Sequence, residues 1–173
     1  SAMFNYAINL GDGVGVDNAD PFMANEYLKK AIKQGHVGAM FNYAINLEHG
    51  VGVDKADPFT ANEYYKKAIE KGDVDAMVYY ALNLGEGVGV DNADPAKANR
   101  YYFAAILRGH VDAMVNFAIN LRYGTGTERD IALAKKYLLI AIAHEDIDAM
   151  RLYGNVLLDE EGEPAMANRF YLM

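Results

Sequence analysis

The chain has 173 residues, of which 52% are hydrophobic and 23% are charged, and its net charge is −8. This composition is ordinary for a folded domain with a buried core, and no apolar run approaches the ~18 residues that a bilayer-spanning helix needs. Because no basic run is present to neutralise phosphates, we expect no nucleic-acid partner. Because no apolar run is long enough, we expect no direct membrane insertion.

Side chains that commonly act in catalysis are scarce. The absence of cysteine removes disulfides, thiol catalysis and cysteine-based metal sites, and it leaves the compartment open. Ser1 is the only serine, and Thr60, Thr125 and Thr127 are the only threonines. A hydroxyl nucleophile therefore has few positions to occupy. We predict no catalytic residues, no enzyme activity and no cofactor.

One segment recurs along the whole chain. AMFNYAINL begins at Ala2 and Ala39, and related forms begin at Ala76, Ala113 and Ala149, at offsets of 37, 37, 37 and 36 residues. The first two copies agree at 28 of 37 positions. The sequence therefore predicts an internal repeat. We expect a single repeat domain over 1–173, with repeats 2–38, 39–75, 76–112 and 113–148 and a partial or capping repeat 149–173.

The chain opens on the first residue of a repeat. We therefore expect Ser1, Ala2 and Met3 to be partly a cloning scar, and the chain to be a fragment of a longer protein.

Each copy starts with apolar residues at helical spacing. In the first copy, Ala2, Tyr6, Ala7 and Leu10 predict an amphipathic helix, named helix A, that stops near Gly13. The aromatic positions predicted to lie in the core are Tyr6, Tyr43, Tyr80, Phe117 and Tyr153.

A second helix, named helix B, follows a GVGVD loop. Asp20 can accept hydrogen bonds from the free amides of a first turn, and Pro21 at the first helical position loses no bond. The signal recurs as Asp57-Pro58 and Asp94-Pro95, without proline at Asp130, and with a weaker cap at Glu163-Pro164.

Helix B carries an apolar stripe at Ala24, Tyr27, Ala31 and Ile32, repeated one copy later. The lysines off that stripe, which we predict to form a solvated face, are Lys29, Lys30, Lys66 and Lys67. Gly35, Gly72 and Gly109 are predicted to end helix B. The residues predicted to fill the turn before the next helix A are Val37, Val74, Val111 and Ile147.

A helix pair of this kind cannot bury its stripe alone, so neighbouring pairs should stack into a superhelix of either hand. The pattern of helix A, G-x-G-V, Asp, Tyr-Tyr-Lys-Lys-Ala and a closing glycine resembles the Sel-1-like repeat family, which is related to tetratricopeptide repeats. The resemblance implies an all-α fold, a right-handed α/α superhelical solenoid of stacked antiparallel helix pairs.

The resemblance spans all five copies and weakens along the chain. Its paired glycines are clear in copies one to three, looser at Gly124 and Gly126, and degraded in copy five, where the predicted loop 159–163 is about four residues short. Copy five is therefore expected to cap or divert the superhelix.

The loop GDGVGVDNADP allows two alternatives to a turn with a helix cap. Asp12, Asp17 and Asp20 suggest a calcium loop, but the Asp12 position becomes His49, Glu86 and Tyr123 in later copies. A phosphate-binding glycine turn lacks its preceding strand and following lysine. The four histidines form no pair at helical ligand spacing. We favour the turn and cap, and predict no metal site.

The side of helix A opposite its core stripe is the candidate binding surface. Its polar amides lie among apolar and aromatic groups, which suits an extended peptide because asparagine both donates and accepts hydrogen bonds. This helix A face, which we expect to be concave, comprises Phe4, Asn5, Ile8, Phe41, Asn42, Ile45, Val78, Tyr79, Leu82, Val115, Asn116 and Ile119. The alternative is that neighbouring helices cover it.

A second asparagine series points nearer the core: Asn9, Asn46, Asn83 and Asn120. We expect these amides to bind backbone groups of the GVGV loop that would otherwise be unpaired.

Three functions remain open. The repeat pattern favours a scaffold or adaptor that binds a protein or peptide partner, and the resemblance implies roles in complex assembly or membrane-linked signalling. Near-identical repeats could also stack head to tail in a self-associating structural protein. Some cysteine-rich relatives suggest binding or hydrolysis of cell-wall fragments, but this chain lacks their cysteines.

Overall fold

A computed structural model describes residues 2–15 and 17–172, so the expectation for Ser1, the Val16 position of the first loop and Met173 lie outside the described residues. Within those ranges the chain forms ten α-helices and no strand. The helices are α1 (Ala2–Asp12), α2 (Pro21–Lys33), α3 (Val37–His49), α4 (Pro58–Glu70), α5 (Asp75–Glu86), α6 (Pro95–Ile106), α7 (Val111–Tyr123), α8 (Ile131–Ala143), α9 (Ile147–Glu161) and α10 (Pro164–Tyr171). The all-α prediction is confirmed.

The helix ends follow the predicted capping signals. The Asp20 side chain accepts a hydrogen bond from the Met23 amide at 2.9 Å, and Asp57, Asp94 and Asp130 cap α4, α6 and α8 in the same way. Each cap satisfies an amide that has no partner within its helix. The capping alternative for this aspartate is therefore confirmed.

The chain divides into two compact units, Ser1–Ala93 and Asp94–Met173. In the first unit, α1 packs on α2, α2 on α3, α3 on α4 and α4 on α5. In the second unit, α6 to α10 pack in the same consecutive manner. Because short turns join helices that pack together, each unit is a stack of antiparallel helix pairs. The single domain expected over 1–173 stays a prediction.

Small residues at the helix contacts build the core. Alanines of both helices, such as Ala44, Ala61 and Ala81, are fully buried, which lets the backbones approach closely. Larger groups fill the space between them, including Leu28 and Tyr65 of helix B, which the predicted apolar stripe omits. The buried face of helix B is therefore wider than the sequence pattern indicates.

One prediction for the core and one for a turn are wrong. Tyr6 is 42% exposed, whereas Tyr43 at the same position of the next copy is 7% exposed. Lys29 of the preceding helix B lies over the Tyr43 ring, and the described residues contain no helix before α1 to cover Tyr6. Ile147, the first residue of α9, is 79% exposed, whereas Val37 and Val111, which begin α3 and α7, are half-buried.

The prediction of a solvated lysine face holds only in part. The Lys29 and Lys66 ammonium groups lie 5.6 and 5.8 Å from the ring centroids of Tyr43 and Tyr80, in the following helix A. Their side chains remain about two-fifths exposed. These lysines therefore cover the next repeat with their alkyl stems while the charge stays near water.

Copy five departs from the others in its loop. Asp159 to Glu161 continue α9, so the predicted loop over 159–163 is wrong, and only Gly162 and Glu163 separate α9 from α10. The buried Arg122 of α7 binds the Asp159 carboxylate at 2.7 Å and lies 3.5 Å from Glu160. The residues that lengthen α9 are therefore held by ion pairs with Arg122 of α7.

Candidate functional site

An aromatic cluster lies at the helix A face of the first unit. The rings of Phe41 in α3 and Tyr79 in α5 meet nearly at right angles, with centroids 5.1 Å apart. The buried Tyr65 ring lies about 6 Å from both. This edge-to-face arrangement is a favourable geometry for aromatic pairs. The structure thus brings predicted site residues of successive helix A segments into contact.

The mid-helix asparagines of this face have partners within their own helices. Asn42 donates from Nδ2 to the Gly38 carbonyl at 2.8 Å, and Asn116 donates to the Asp112 carbonyl at 2.8 Å. Each bond uses one of the two amide hydrogens. The side-chain oxygen and the second hydrogen can therefore serve a ligand without loss of the internal bond.

The predicted face is partly open. Asn5 and Tyr79 are exposed, and Val78 and Val115 are buried, with 4% and 7% of their surface accessible. The half-buried members are Phe4, Ile8, Phe41, Asn42, Ile45, Leu82, Asn116 and Ile119. Val78 therefore contributes almost nothing to the surface, whereas Val115 packs into the core with Ala118 and Leu121 and still lines part of a groove in the second unit.

In the second unit, a groove of about 290 Å³ opens between α7 and α9. Asn116 and Ile119 line it together with Leu152 of α9. The other lining residues include three carboxylates and one guanidinium: Asp112, Asp146, Asp148 and Arg151. The groove combines an apolar floor with a net negative rim, which suits a segment that carries both apolar and basic side chains.

A larger groove, of about 930 Å³, lies along α8 and α9 in the second unit. Leu139 and Ile140 are exposed in it, beside Lys135 and Glu161. These leucine and isoleucine positions correspond to the paired lysines of the first two copies. Sequence reasoning missed this groove, although the unbroken apolar run after Tyr137 was the available signal.

The carbonyl groups of the GVGV loop are bound by an asparagine of helix B, which sequence reasoning missed. Asn25 of α2 is buried and donates from Nδ2 to the carbonyls of Val51 and Gly52, both at 2.8 Å. Asn46 donates in turn to Asn25 Oδ1 at 2.7 Å. The prediction that Asn46 itself binds the loop backbone is therefore wrong, because Asn46 contacts the loop only through Asn25. The recurrence of asparagine every 37 residues in helix B was the signal.

This arrangement, in which a helix A asparagine donates to a helix B asparagine that binds the loop, is named the asparagine relay. It occurs a second time in the first unit and once in the second unit. Asn62 binds Val88 and Gly89 and accepts from Asn83, while Asn99 binds Thr125 and accepts from Asn120. Asn9 is exposed, so the prediction that it points towards the core is wrong. Its equivalents are covered because a preceding helix B supplies their partner.

No three His, Asp or Glu side chains within residues 2–15 and 17–172 lie together as metal ligands. Over the same part of the chain, every helix is too short or too polar to cross a bilayer.

Comparison with known proteins agrees with the repeat geometry. The family model described as the Sel1 repeat matches four times, at residues 1–36, 37–73, 74–110 and 111–146. The crystal structure of a Sel1 repeat protein from Oxalobacter formigenes is similar at 26% identity and a TM-score of 0.87, over 98% of this chain and 69% of that chain.

A second similar structure is c5321, a protective antigen of uropathogenic Escherichia coli strains that displays an SLR fold. It is 22% identical with a TM-score of 0.84, over 98% of this chain and 36% of that chain. No curated protein matches the chain.

Proposed function

The chain belongs to the Sel1 repeat family, and from this premise we propose that it is a scaffold that binds a protein or peptide segment on the helix A face. Proteins of this family generally serve as protein-interaction scaffolds and are typically non-catalytic. No catalytic step is part of the proposal.

The observation that carries the proposal is the juxtaposition of aromatic and amide groups on successive helices. Phe41 and Tyr79 form one continuous aromatic surface, with Asn42 next to Phe41 in the same helix. Aromatic side chains give a large contact area at a low entropy cost, and amides pair with the backbone of an extended segment. This combination supports recognition of a peptide backbone together with apolar side chains.

The second unit adds an expectation about charge. The groove between α7 and α9 has three aspartates against one arginine, so we expect the bound segment to carry a basic side chain near an apolar one. Because exposed charges are screened by salt, this part of the affinity should fall as the ionic strength rises.

Partner capture with the chain as bait, followed by mass spectrometry and measurement of Kd, tests the proposal. The test variant replaces Asn42, Tyr79 and Asn116 by alanine together. The control variant replaces exposed helix B residues Lys33, Glu70 and Arg169 by alanine. We expect the test variant to lose affinity at least about tenfold, equivalent to about 1.4 kcal/mol, and the control to retain it. Equal affinities of the test variant and the wild type would refute the assignment of the surface.

The larger groove along α8 and α9, named the α8 groove, is an alternative binding surface for the partner. A variant with Leu139→Ser and Ile140→Ser removes its exposed apolar groups, and we expect that variant to bind the captured partner as the wild type does. Loss of binding in this variant alone would move the binding surface to α8 and leave the scaffold role intact.

A further inference from the structure

A small pocket of about 160 Å³ lies between the first two copies, inside the first unit. Its walls come from α1, α2 and α3: Ile8 and Leu28 line it from the first copy, and Asn42 and Asn46 line it from the second. Ile8 and Asn42 also belong to the helix A face. The pocket is therefore part of the contact between two copies and is continuous with that face.

The second copy fills the corresponding space with its own side chains. Glu48 stands at the Gly11 position, and Tyr65 stands at the Leu28 position. The Tyr65 side chain is fully buried, and its hydroxyl donates to Glu48 Oε2 at 2.9 Å. Asn83 of α5 donates to the same oxygen at 3.0 Å. The pocket of the first copy is therefore the space that a phenol and a carboxylate occupy one repeat later.

Asn46 keeps one amide hydrogen unpaired at this pocket. Its Nδ2 donates to Asn25 Oδ1, and within residues 2–15 and 17–172 it has no second acceptor. Asn83, at the same position of the next copy, donates to both Asn62 and Glu48. Because an unpaired donor in a partly buried site costs free energy, a ligand that brings an acceptor here gains affinity.

The charge of the pocket selects between the two groups that fill the second copy. Among the described residues that line the pocket, only Asp12 is charged, and a carboxylate placed beside it would be repelled. In the second copy this position is His49, next to Glu48. The pocket therefore disfavours a carboxylate and suits a phenol, whose neutral hydroxyl can accept from Asn46.

The volume of the pocket suits one aromatic ring, because an apolar cavity of about 150 Å³ is enough to hold benzene. The second, third and fourth copies each place a large buried side chain at one of the two filling positions, namely Tyr65, Tyr102 and Arg122. Gly11 and Leu28 of the first copy supply no such group. The space that the chain fills for itself elsewhere is thus left for a ligand here.

We propose that this pocket binds a tyrosine side chain of the segment that the helix A face recognises, an inference that rests on the function proposed above. The ring lies against Ile8 and Leu28, and the hydroxyl accepts the unpaired hydrogen of Asn46. Gly11 admits the ring because it has no side chain. The first two copies thereby select one particular side chain of the bound segment.

Titration with p-cresol, which is the side chain of tyrosine, tests the pocket without a partner, and the Ile8 methyl NMR signal reports binding. Leu28→Tyr fills the pocket from within and reproduces the pair Gly85 and Tyr102 of the third copy, so the fold already accommodates it. Lys33→Ala, at an exposed position of α2, is the control. We expect saturable shifts in the wild type and the control, and affinity at least about tenfold lower in Leu28→Tyr.

The reverse variant combines Glu48→Gly with Tyr65→Leu and opens the same space in the second copy. We expect p-cresol to shift the Ile45 methyl signal in this variant and not in the wild type. Toluene, which lacks the hydroxyl, should bind the wild type about threefold or more weakly than p-cresol. An unshifted Ile8 signal in the wild type, equal affinities of Leu28→Tyr and the wild type, or equal affinities of toluene and p-cresol would overturn the proposal.

The captured partner separates this proposal from the scaffold function. We expect Leu28→Tyr to weaken partner binding at least about tenfold as well. Unchanged partner affinity in Leu28→Tyr would overturn the tyrosine pocket and leave the scaffold function intact. Failure of the scaffold function would appear differently, as a partner whose affinity ignores the helix A face while p-cresol still shifts the Ile8 signal.

Discussion

Asn25 shows how much one buried amide does in this fold. It has two hydrogens and one oxygen, and all three are used: two carbonyls of the next loop accept from it, and Asn46 donates to it. A fully paired buried amide stabilises a specific geometry, whereas an unpaired one costs the full desolvation of each polar group. The relay therefore fixes the position of each loop against the helix before it.

We expect Asn25→Ala to destabilise the chain more than Asn46→Ala. Asn25→Ala leaves the Val51 and Gly52 carbonyls without their donor, whereas Asn46→Ala removes a single bond. We expect both to lower the free energy of unfolding within about 1–3 kcal/mol, with the larger loss for Asn25→Ala. Urea denaturation measures this, with the exposed Asn92→Ala as control. A change below a few tenths of a kcal/mol for Asn46→Ala would contradict the role.

The third position of the GVG turn requires glycine for two reasons: its φ is positive, and a side chain there would collide with the preceding helix B. A β-carbon on Gly89 would overlap the Pro58 carbonyl, whereas one on Gly35 would have open space. Both residues have φ in the left-handed region, at 61° and 80°. Gly35→Ala should therefore cost about 1–2 kcal/mol of conformational strain, and Gly89→Ala clearly more. Equal thermal midpoints for the two variants would show that the loop does not lie against α4.

Burial at single positions was only partly predictable. The nonapeptide AMFNYAINL occurs twice, yet Tyr6 is exposed and Tyr43 is buried. Identical local sequence cannot distinguish them, because the difference arises from the lysine of a preceding repeat. The Asn25 position escaped prediction for a related reason: a hydrophobic period counts apolar residues and assigns a buried amide to the surface.

At the scale of the helix, α9 is longer than the other A helices, with 15 residues against 11 to 13. It runs to Glu161, and its last residues bind the buried Arg122 of α7 and the more exposed Arg129. Helix boundaries elsewhere followed directly from Asp-Pro and glycine signals in the sequence. Here the ion pairs come from residues far apart along the chain, which a local pattern cannot reveal.

We expect Arg122 and Arg129 to stabilise the last turn of α9 to different extents. The Arg122 side chain is 7% exposed and binds Asp159, whereas the Arg129 side chain is 54% exposed. We expect Arg122→Ala to cost about 1.5–3 kcal/mol and to speed amide hydrogen exchange over 158–161. Arg129→Ala should cost less than about 1 kcal/mol, because a solvated ion pair adds little. The opposite order of the two effects would exclude Arg122 as the main anchor.

At the scale of the whole molecule, the fold class, the repeat length and the family could all be predicted from the sequence, because a 37-residue period and paired helix signals repeat several times. The binding surface could be predicted only in outline. Val78 and Val115 belong to the same helical side as Phe41 and Tyr79, and only packing between neighbouring helices shows which of these positions remain open.

A methyl NMR titration of the isoleucine-labelled chain with its captured partner tests the binding surface most directly. Ile45 and Ile119 report on the helix A face, whereas Ile131 and Ile140 report on the α8 groove. We predict that the methyl signals of Ile45 and Ile119 shift on binding while those of Ile131 and Ile140 stay in place. Shifts confined to Ile131 and Ile140 would contradict the account.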